Sequence, residues 1–288
     1  MSGKEVDEIS GTETTGHEWD GIKELDTPMP RWWLWIFFGT IVWAIGYWVV
    51  YPAWPGISSY THGTLNHSQR DEVASNIAAL KAARSVREAA LAKASLADIQ
   101  SNPDLLQFAM AEGKTTFGDN CAPCHGARGQ GAHGYPNLND DVWLWGGNLT
   151  DIEQTITVGV RSTSPHTRES QMPAFGRDGV LKTAQIDDLV EYVVHISGRS
   201  VDTRSIQRAK PLFADNCAAC HGPEGKGNRA MGAPNLTDNE WEYGSSRDDI
   251  RDQIWNGHGG VMPTWGGRLS PVEIKALAVF VHNLGGGE

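Results

Sequence analysis

Cysteine is scarce in this chain, with four in 288 residues. All four lie in two nearly identical stretches, Asp119–Gly126 "DNCAPCHG" and Asp215–Gly222 "DNCAACHG", 96 positions apart. No cysteine is left for a disulfide framework elsewhere. Basic charge is also short: 24 Lys and Arg face 35 Asp and Glu, a net −11. The deficit is steepest over residues 1–30, with two basic and eight acidic side chains. Phosphate binding needs a basic face, so a nucleic-acid partner is excluded. The −5 left over residues 31–288 only weakly favours basic partners. No segment shows convincing strand alternation, which points away from a core built on sheets.

Charge is missing altogether from Trp32 to Tyr51, "WWLWIFFGTIVWAIGYWVVY", twenty residues. As a helix this segment spans about 30 Å, the thickness of a bilayer's hydrocarbon core. Its ends are aromatic, as suits the headgroup layers, and Pro52 and Pro55 stop it. A buried soluble helix fits this length and flanking less well. A cleaved signal peptide fits poorly too, since thirty polar residues precede the run and "YPAWPGISSY" offers no small-residue cleavage site. The segment reads as a retained anchor. Lys23 and Arg31 precede it, and no Lys or Arg follows until Arg70. The positive-inside rule then puts the N-terminus in the cytoplasm and everything after the anchor in a bacterial periplasm or its equivalent.

After the anchor, residues 68–98 are rich in Ala, Arg, Lys and Glu with very little Gly or Pro. Ser68 with Asp71 reads as a helix cap, and Val73, Ile77 and Leu80 recur at helical spacing. This helix is either a docking surface or a spacer. Ser101-Asn102-Pro103 opens another helix, with proline at a tolerated first-turn position.

The rest is an internal repeat. "GKTTFGDNCAPCHG" from Gly113 matches "AKPLFADNCAACHG" from Ala209, and "PNLNDDVWLWG" from Pro136 matches "PNLTDNEWEYG" from Pro234. Ile152, Ile156 and Gly159 match Ile250, Ile254 and Gly257 at a spacing of 98. "QMPAFG" from Gln171 matches "VMPTWG" from Val261, and "LKTAQIDDLVEYVV" from Leu181 matches "LSPVEIKALAVFVH" from Leu269 at a spacing of 88. The fall from 98 to 88 places ten extra residues in the first copy, mostly between Arg161 and Ser170. Both final segments read as amphipathic helices, with Ile186, Leu189 and Val193 matching Ile274, Leu277 and Val281. Ser270 and Glu273 form a capping box with Pro271 at the first helical position. Pro211 interrupts what the first copy would write as one helix, so the second copy's opening helix is expected to kink or start late.

The thiols of C-x-x-C lie about one helical turn apart on one side. In C-x-x-C-H they can close thioether bonds onto the two vinyl groups of a haem, and the histidine can reach the iron from below. A redox dithiol leaves the histidine unexplained. A zinc site would have to gather ligands over 96 residues. Structural disulfides would compete for the same four cysteines. The reading is therefore two covalently bound c-type haems, attached at Cys121, Cys124, Cys217 and Cys220 and ligated by His125 and His221. The second axial ligand must occupy corresponding places in both copies. Met172 and Met262 do so, each followed by Pro, one residue, an aromatic and Gly. Met110, Met231, His166, His195, His258 and His282 find no such match and read as filling or surface residues. Whether each methionine serves its own copy or the other is left open. Ligation by His and Met fills both iron positions and raises the potential, which suits electron transfer rather than oxygen chemistry.

With this motif order, the repeats resemble class I cytochrome c domains. Phe117 and Phe213 match that family's first-helix aromatic, Tyr192 and Phe280 its last-helix aromatic, and Gly113 the small residue where these helices cross; Ala209 departs mildly. The whole chain is similar to the dihaem subunit III of cbb3-type cytochrome c oxidases. The leader "GHEWDGIKELDTPMPRWWLW" (Gly16–Trp35) and the anchor ending "YPAWP" carry that narrower likeness. The resemblance implies an all-α chain: an acidic cytoplasmic leader (1–30), a transmembrane anchor (31–54), a periplasmic helical spacer (55–103) and two cytochrome c domains (104–200 and 201–288). It implies electron relay from a cytochrome c or bc complex, through a monohaem subunit, to a catalytic haem–copper subunit that reduces oxygen. It turns the leader, otherwise a solvated tail, into a docking segment at the inner membrane. An independent tethered dihaem carrier and a dihaem peroxidase are the alternatives; two matched Met-Pro motifs argue against the second.

Overall fold

The computed structural model describes residues 5–199 and 203–288. The chain divides into two compact units, one up to Ala82 and one from Ala83. The first begins with an antiparallel hairpin, β1 (Thr14–Trp19) and β2 (Ile22–Leu25). Asp20 and Gly21 turn it, both with positive φ (51° and 84°), as a two-residue hairpin turn requires. This small sheet is an addition to an otherwise helical molecule. Helix α1 (Arg31–Val50) follows, 20 residues with none buried. A helix apolar on every side that buries nothing against its own chain suits an apolar medium. Its one hydroxyl near mid-helix is satisfied internally, Thr40 Oγ1 donating to the Phe37 carbonyl at 2.7 Å. The chain then turns back, and the Thr64 and Leu65 N–H groups donate to the Val49 and Val50 carbonyls at 3.0 and 3.1 Å. Two carbonyls that the helix end would leave orphaned are thereby paired.

Helix α2 (Gln69–Lys93) begins in the first unit and ends in the second. Ser68 Oγ accepts from the Asp71 N–H at 3.2 Å, the expected cap, and Val73, Ile77 and Leu80 are exposed. In the second unit come α3 (Leu96–Ser101), α4 (Pro103–Asn120), the one-turn α5 (Ala122–His125), α6 (Leu149–Val158) and α7 (Thr183–Ile196). The second run is α8 (Thr203–Asn216), the one-turn α9 (Ala218–His221), α10 (Arg247–Asn256) and α11 (Pro271–His282). Caps stand where the polar residues suggest. Asn102 accepts from Asp104 and Leu105, Asn148 from Asp151, Ser246 from Asp249, and Ser270 forms the box with Glu273. Pro211 lies inside α8, which is already helical at Thr203, so the late start does not occur.

The packing crosses the repeat. Helix α4 lies on α11, and α8 lies on α7. One core therefore gathers Phe117, Ile152 and Ile156 from the first copy with Ile274, Leu277 and Val281 from the second. The other joins Ile186, Leu189 and Val193 of the first copy to Ala209, Phe213, Ile250 and Ile254 of the second. Each fully buried Leu, Ile or Phe contributes about 1.5–3 kcal/mol. The aromatic pairs follow the same rule, Phe117 with Phe280 (centroids 5.4 Å apart) and Phe213 with Tyr192 (4.9 Å). At the α4–α11 crossing a Cβ on Gly113 would collide with the Ala276 carbonyl. Leu91 and Ile99, from the segment before the first copy, are fully buried against Ala109, Ala276 and Val279, so the end of that segment is part of a core.

Candidate haem sites

Each C-x-x-C-H motif starts where its leading helix runs out. Cys121 caps α4, and the Cys124 and His125 N–H groups return to its carbonyl at 3.1 and 2.9 Å. Cys217 does the same at the end of α8, with Cys220 at 3.1 Å and His221 at 2.9 Å. One helical turn thus presents both sulfurs and the imidazole together. The loops beyond begin with matched bonds. Gly131 N–H donates to the His125 carbonyl and Gly227 N–H to the His221 carbonyl, both at 2.8 Å.

The imidazoles are oriented by backbone. His125 Nδ1 lies 3.0 Å from the Pro136 carbonyl, and His221 Nδ1 lies 3.0 Å from the Pro234 carbonyl. A carbonyl only accepts, so Nδ1 carries the proton and Nε2 keeps its lone pair, the tautomer a metal needs. Burial lowers the pKa of both histidines against a smaller opposing effect of that bond, which favours the neutral ring. Burial also pushes the Cys121 and Cys217 thiols up to about 11, with a lesser push from Cys124 and Cys220. At both positions this favours the neutral thiol over the thiolate.

The two methionines lie in opposite cores from their own motifs. Met262 packs in the cluster that contains Cys121 and Trp143, and Met172 in the cluster that contains Cys217 and Trp241. Backbone pairing holds this exchange. Val160 and Met262 trade both N–H···O bonds at 3.0 Å, and Trp265 N–H donates to the Ile156 carbonyl at 3.2 Å. On the other side Gly176 and Arg177 both donate to the Trp255 carbonyl, at 3.2 and 3.0 Å. Gly159 and Gly257 have positive φ (72° and 65°), and a Cβ on either would drive into the Met262 or Met172 carbonyl. Only glycine permits that approach.

Two buried arginine atoms, absent from the sequence reading, bear on what fills these sites. Among the described residues, Arg168 Nε and Arg199 Nη2 are buried and meet no hydrogen-bond acceptor. Arg168 lies over Trp145 at 5.2 Å beside Asp151 of α6; Arg199 lies over Trp241 at 5.6 Å. A buried donor without an acceptor is costly, and haem carries two propionate carboxylates able to accept. The residues fit haem: thiols, a neutral imidazole, a thioether, apolar walls and a spare cationic donor in each core. Arg168 lies in the first copy's extra loop and Arg199 just past α7, where the repeat offers no matching arginine to flag them. Of the unmatched candidates, Met110 packs against core residues, while Met231, His166 and His195 are exposed. His258 pairs with Asp252 at 3.1 Å and His282 Nε2 with the Glu288 carbonyl at 2.9 Å.

Comparison with known proteins finds family matches along most of the chain. Residues 11–58 match the N-terminal domain of cytochrome oxidase-cbb3, FixP; residues 110–197 match cytochrome c; residues 204–281 match cytochrome c oxidase, cbb3-type, subunit III. The chain is 58% identical over 287 residues to the cbb3-type cytochrome c oxidase subunit FixP of Bradyrhizobium sp. (strain ORS 278), covering 99% of this chain and 98% of that protein. FixP of Azorhizobium caulinodans is 54% identical (98% of this chain, 96% of that protein), and subunit CcoP of Azospirillum brasilense 49% (100% of both). The chain belongs to the FixP/CcoP family of cbb3-type cytochrome c oxidase subunits. As a member of that family it is part of an oxidoreductase complex, with the other oxidase subunits as partners and covalently bound haem c as cofactor. Helix α1 fits a single-pass anchor for such a subunit.

Proposed function

We propose that this chain relays electrons within the oxidase through two haem c groups, each closed by a methionine from the opposite copy. Cys121 and Cys124 would hold one haem together with His125 and Met262, and Cys217 and Cys220 would hold the other together with His221 and Met172. The observation that carries this reading is the matched placement of each methionine in the core of the other copy's C-x-x-C-H turn. Bound haem c supplies a one-electron ferric–ferrous couple. The chain's own residues decide what that couple is used for. The Pro136 and Pro234 carbonyls aim the imidazoles and burial keeps them neutral, Arg168 and Arg199 offer charge-assisted donors, and the apolar walls keep water off. A methionine offered from the opposite core would exclude oxygen and raise the potential, so the chain would carry electrons without an oxygen-reducing site of its own.

With Lys23 and Arg31 before the anchor, the N-terminus is cytoplasmic and both haem sites are periplasmic, on the side where a cytochrome c or bc complex donates. The electrons then pass through a monohaem subunit to the haem–copper subunit that reduces oxygen. Purification from native membranes in mild detergent, with mass measurement of this chain, tests the reading. Two covalent haems and co-purifying oxidase subunits are expected; one haem, or a chain free of any oxidase, overturns it.

A further inference from the structure

The chain crosses from one core to the other through residues 159–171 and returns through 258–261. Arg161 lies where these crossings meet. Its φ is +50°, a left-handed backbone that non-glycine residues rarely hold without surrounding constraint. The constraint is visible. Its N–H donates to the Arg168 carbonyl at 2.9 Å, its Nε to the Gly260 carbonyl at 2.6 Å, and its Nη1 to the Ser170 carbonyl. Ser170 stands two residues before Met172, and Gly260 two residues before Met262. Val160, the neighbour of Arg161, is itself paired to Met262. One guanidinium therefore ties together the backbones that carry both methionines.

The repeat sharpens the point. At the spacing of 98 the counterpart of Arg161 is Gly259. A Cβ on Gly259 would come within 3.2 Å of Arg161 Nε and of Gln171 Cγ. The second copy leaves the space that the first copy's side chain fills, so two sites share one cation. Arg161 is half-buried, and among the described residues it forms no ion pair with a carboxylate; its side-chain acceptors are carbonyls. Partial burial lowers its pKa, yet a guanidinium stays charged throughout the physiological range. A fixed positive charge out of bulk water disfavours further positive charge nearby, which is what oxidation of an iron adds.

We propose that Arg161 is a positioning residue common to both haem sites, locking the two methionine-bearing crossings together and, as an unpaired cation between them, raising both iron potentials. The proposal rests on Met172 and Met262 being the axial ligands. Optical redox titration of the full haem-loaded chain tests it, comparing Arg161→Met and Arg161→Lys and recording the methionine-to-iron absorbance alongside. Arg161→Met should lower both midpoint potentials by similar amounts while both methionine absorbances persist, and Arg161→Lys should restore most of the shift. Unmoved potentials, a shift of one haem alone, or equal shifts in both variants would overturn the shared-charge role. Arg161→Gln, which keeps one donor without the charge, replaces the Met variant if that fails to load haem, with the same expectations. Failure of the ligand reading shows separately, as Met172→Ala and Met262→Ala variants that keep their methionine absorbance whole.

Discussion

Helices α4 and α11 form one pair and α8 and α7 the other, and they cross in matching ways, yet their outer faces differ. On the first pair that face carries Ala276 and Val279, and Leu91 and Ile99 cover it. On the second pair the matching positions, 88 residues earlier, are Asp188 and Glu191. There Arg208 forks onto Asp188 at 2.7 and 2.5 Å, and Arg247 reaches Glu191 at 2.6 Å, in a ladder open to water. The counterpart of Arg208 is Glu112, which pairs with Arg84 on the covering helix α2. The inner faces carry the same chemistry in both pairs; the outer faces differ with what each touches. Connectivity differs too. One core draws on described residues from 172–199 and 203–257, while the other takes segments that come before and after these in the chain. Equivalent contacts are available from either copy, so exchange costs only the closure of two short crossings, which grows slowly with length.

The exchange can be broken outright. In a chain with Cys121 and Cys124 replaced by Ser, one haem remains, at Cys217 and Cys220. Met172→Ala should then abolish the remaining methionine-to-iron absorbance and Met262→Ala leave it intact. The opposite result would restore pairing within each copy.

The covered face offers the next largest effect. Leu91→Ala should destabilise the α4–α11 core by about 2–5 kcal/mol, the range for emptying a fully buried leucine site. Denaturant unfolding of single-haem variants reads each core separately. The haem at Cys217 should keep its midpoint; equal losses at both haems would mean the two cores unfold as one.

Proline position separates the leading helices. Thr115 of α4 matches Pro211 of α8 at a spacing of 96. Thr115→Pro removes a backbone donor inside α4 and should cost about 3 kcal/mol in that core. Pro211→Thr should stabilise the other core by less, because the surroundings of Pro211 already accommodate it. If both substitutions destabilise, α8 has adapted its packing to the proline.

Local signals made most of these elements legible in the sequence. C-x-x-C-H needs one helical turn, the Ser270 box spans four residues, and the charge-free run is contiguous. The exchange was not legible. Ile186, Leu189 and Val193 repeat the apolar face of Ile274, Leu277 and Val281, so either final helix could serve either motif. The hairpin was missed because Gly16, His17 and Glu18 break the alternation that marks a strand, although Asp20-Gly21 is a turn signal. Arg161 went unnoticed because a repeat draws attention to what matches, and its counterpart is a glycine.

The smallest effect separates the outer faces by pH. The Arg208 hydrogen bonds hold the Asp188 carboxyl below its ordinary 3.8, outweighing the opposing effect of burial. A depressed carboxyl contributes stability that is present above its unfolded value and lost as pH falls through its folded value. The α7–α8 pair should therefore weaken below about pH 4, while Ala276 at the matching place gives α4–α11 no such dependence. Arg208 is largely exposed, so screening keeps the effect within about 1 kcal/mol. Unfolding midpoints at pH 5 and pH 3 should fall further for the haem at Cys217 than for the haem at Cys121. Arg208→Gln should lower the midpoint at pH 5 and leave less of it to lose at pH 3. A difference between the haems that survives Arg208→Gln undiminished would place the acid sensitivity outside this ladder.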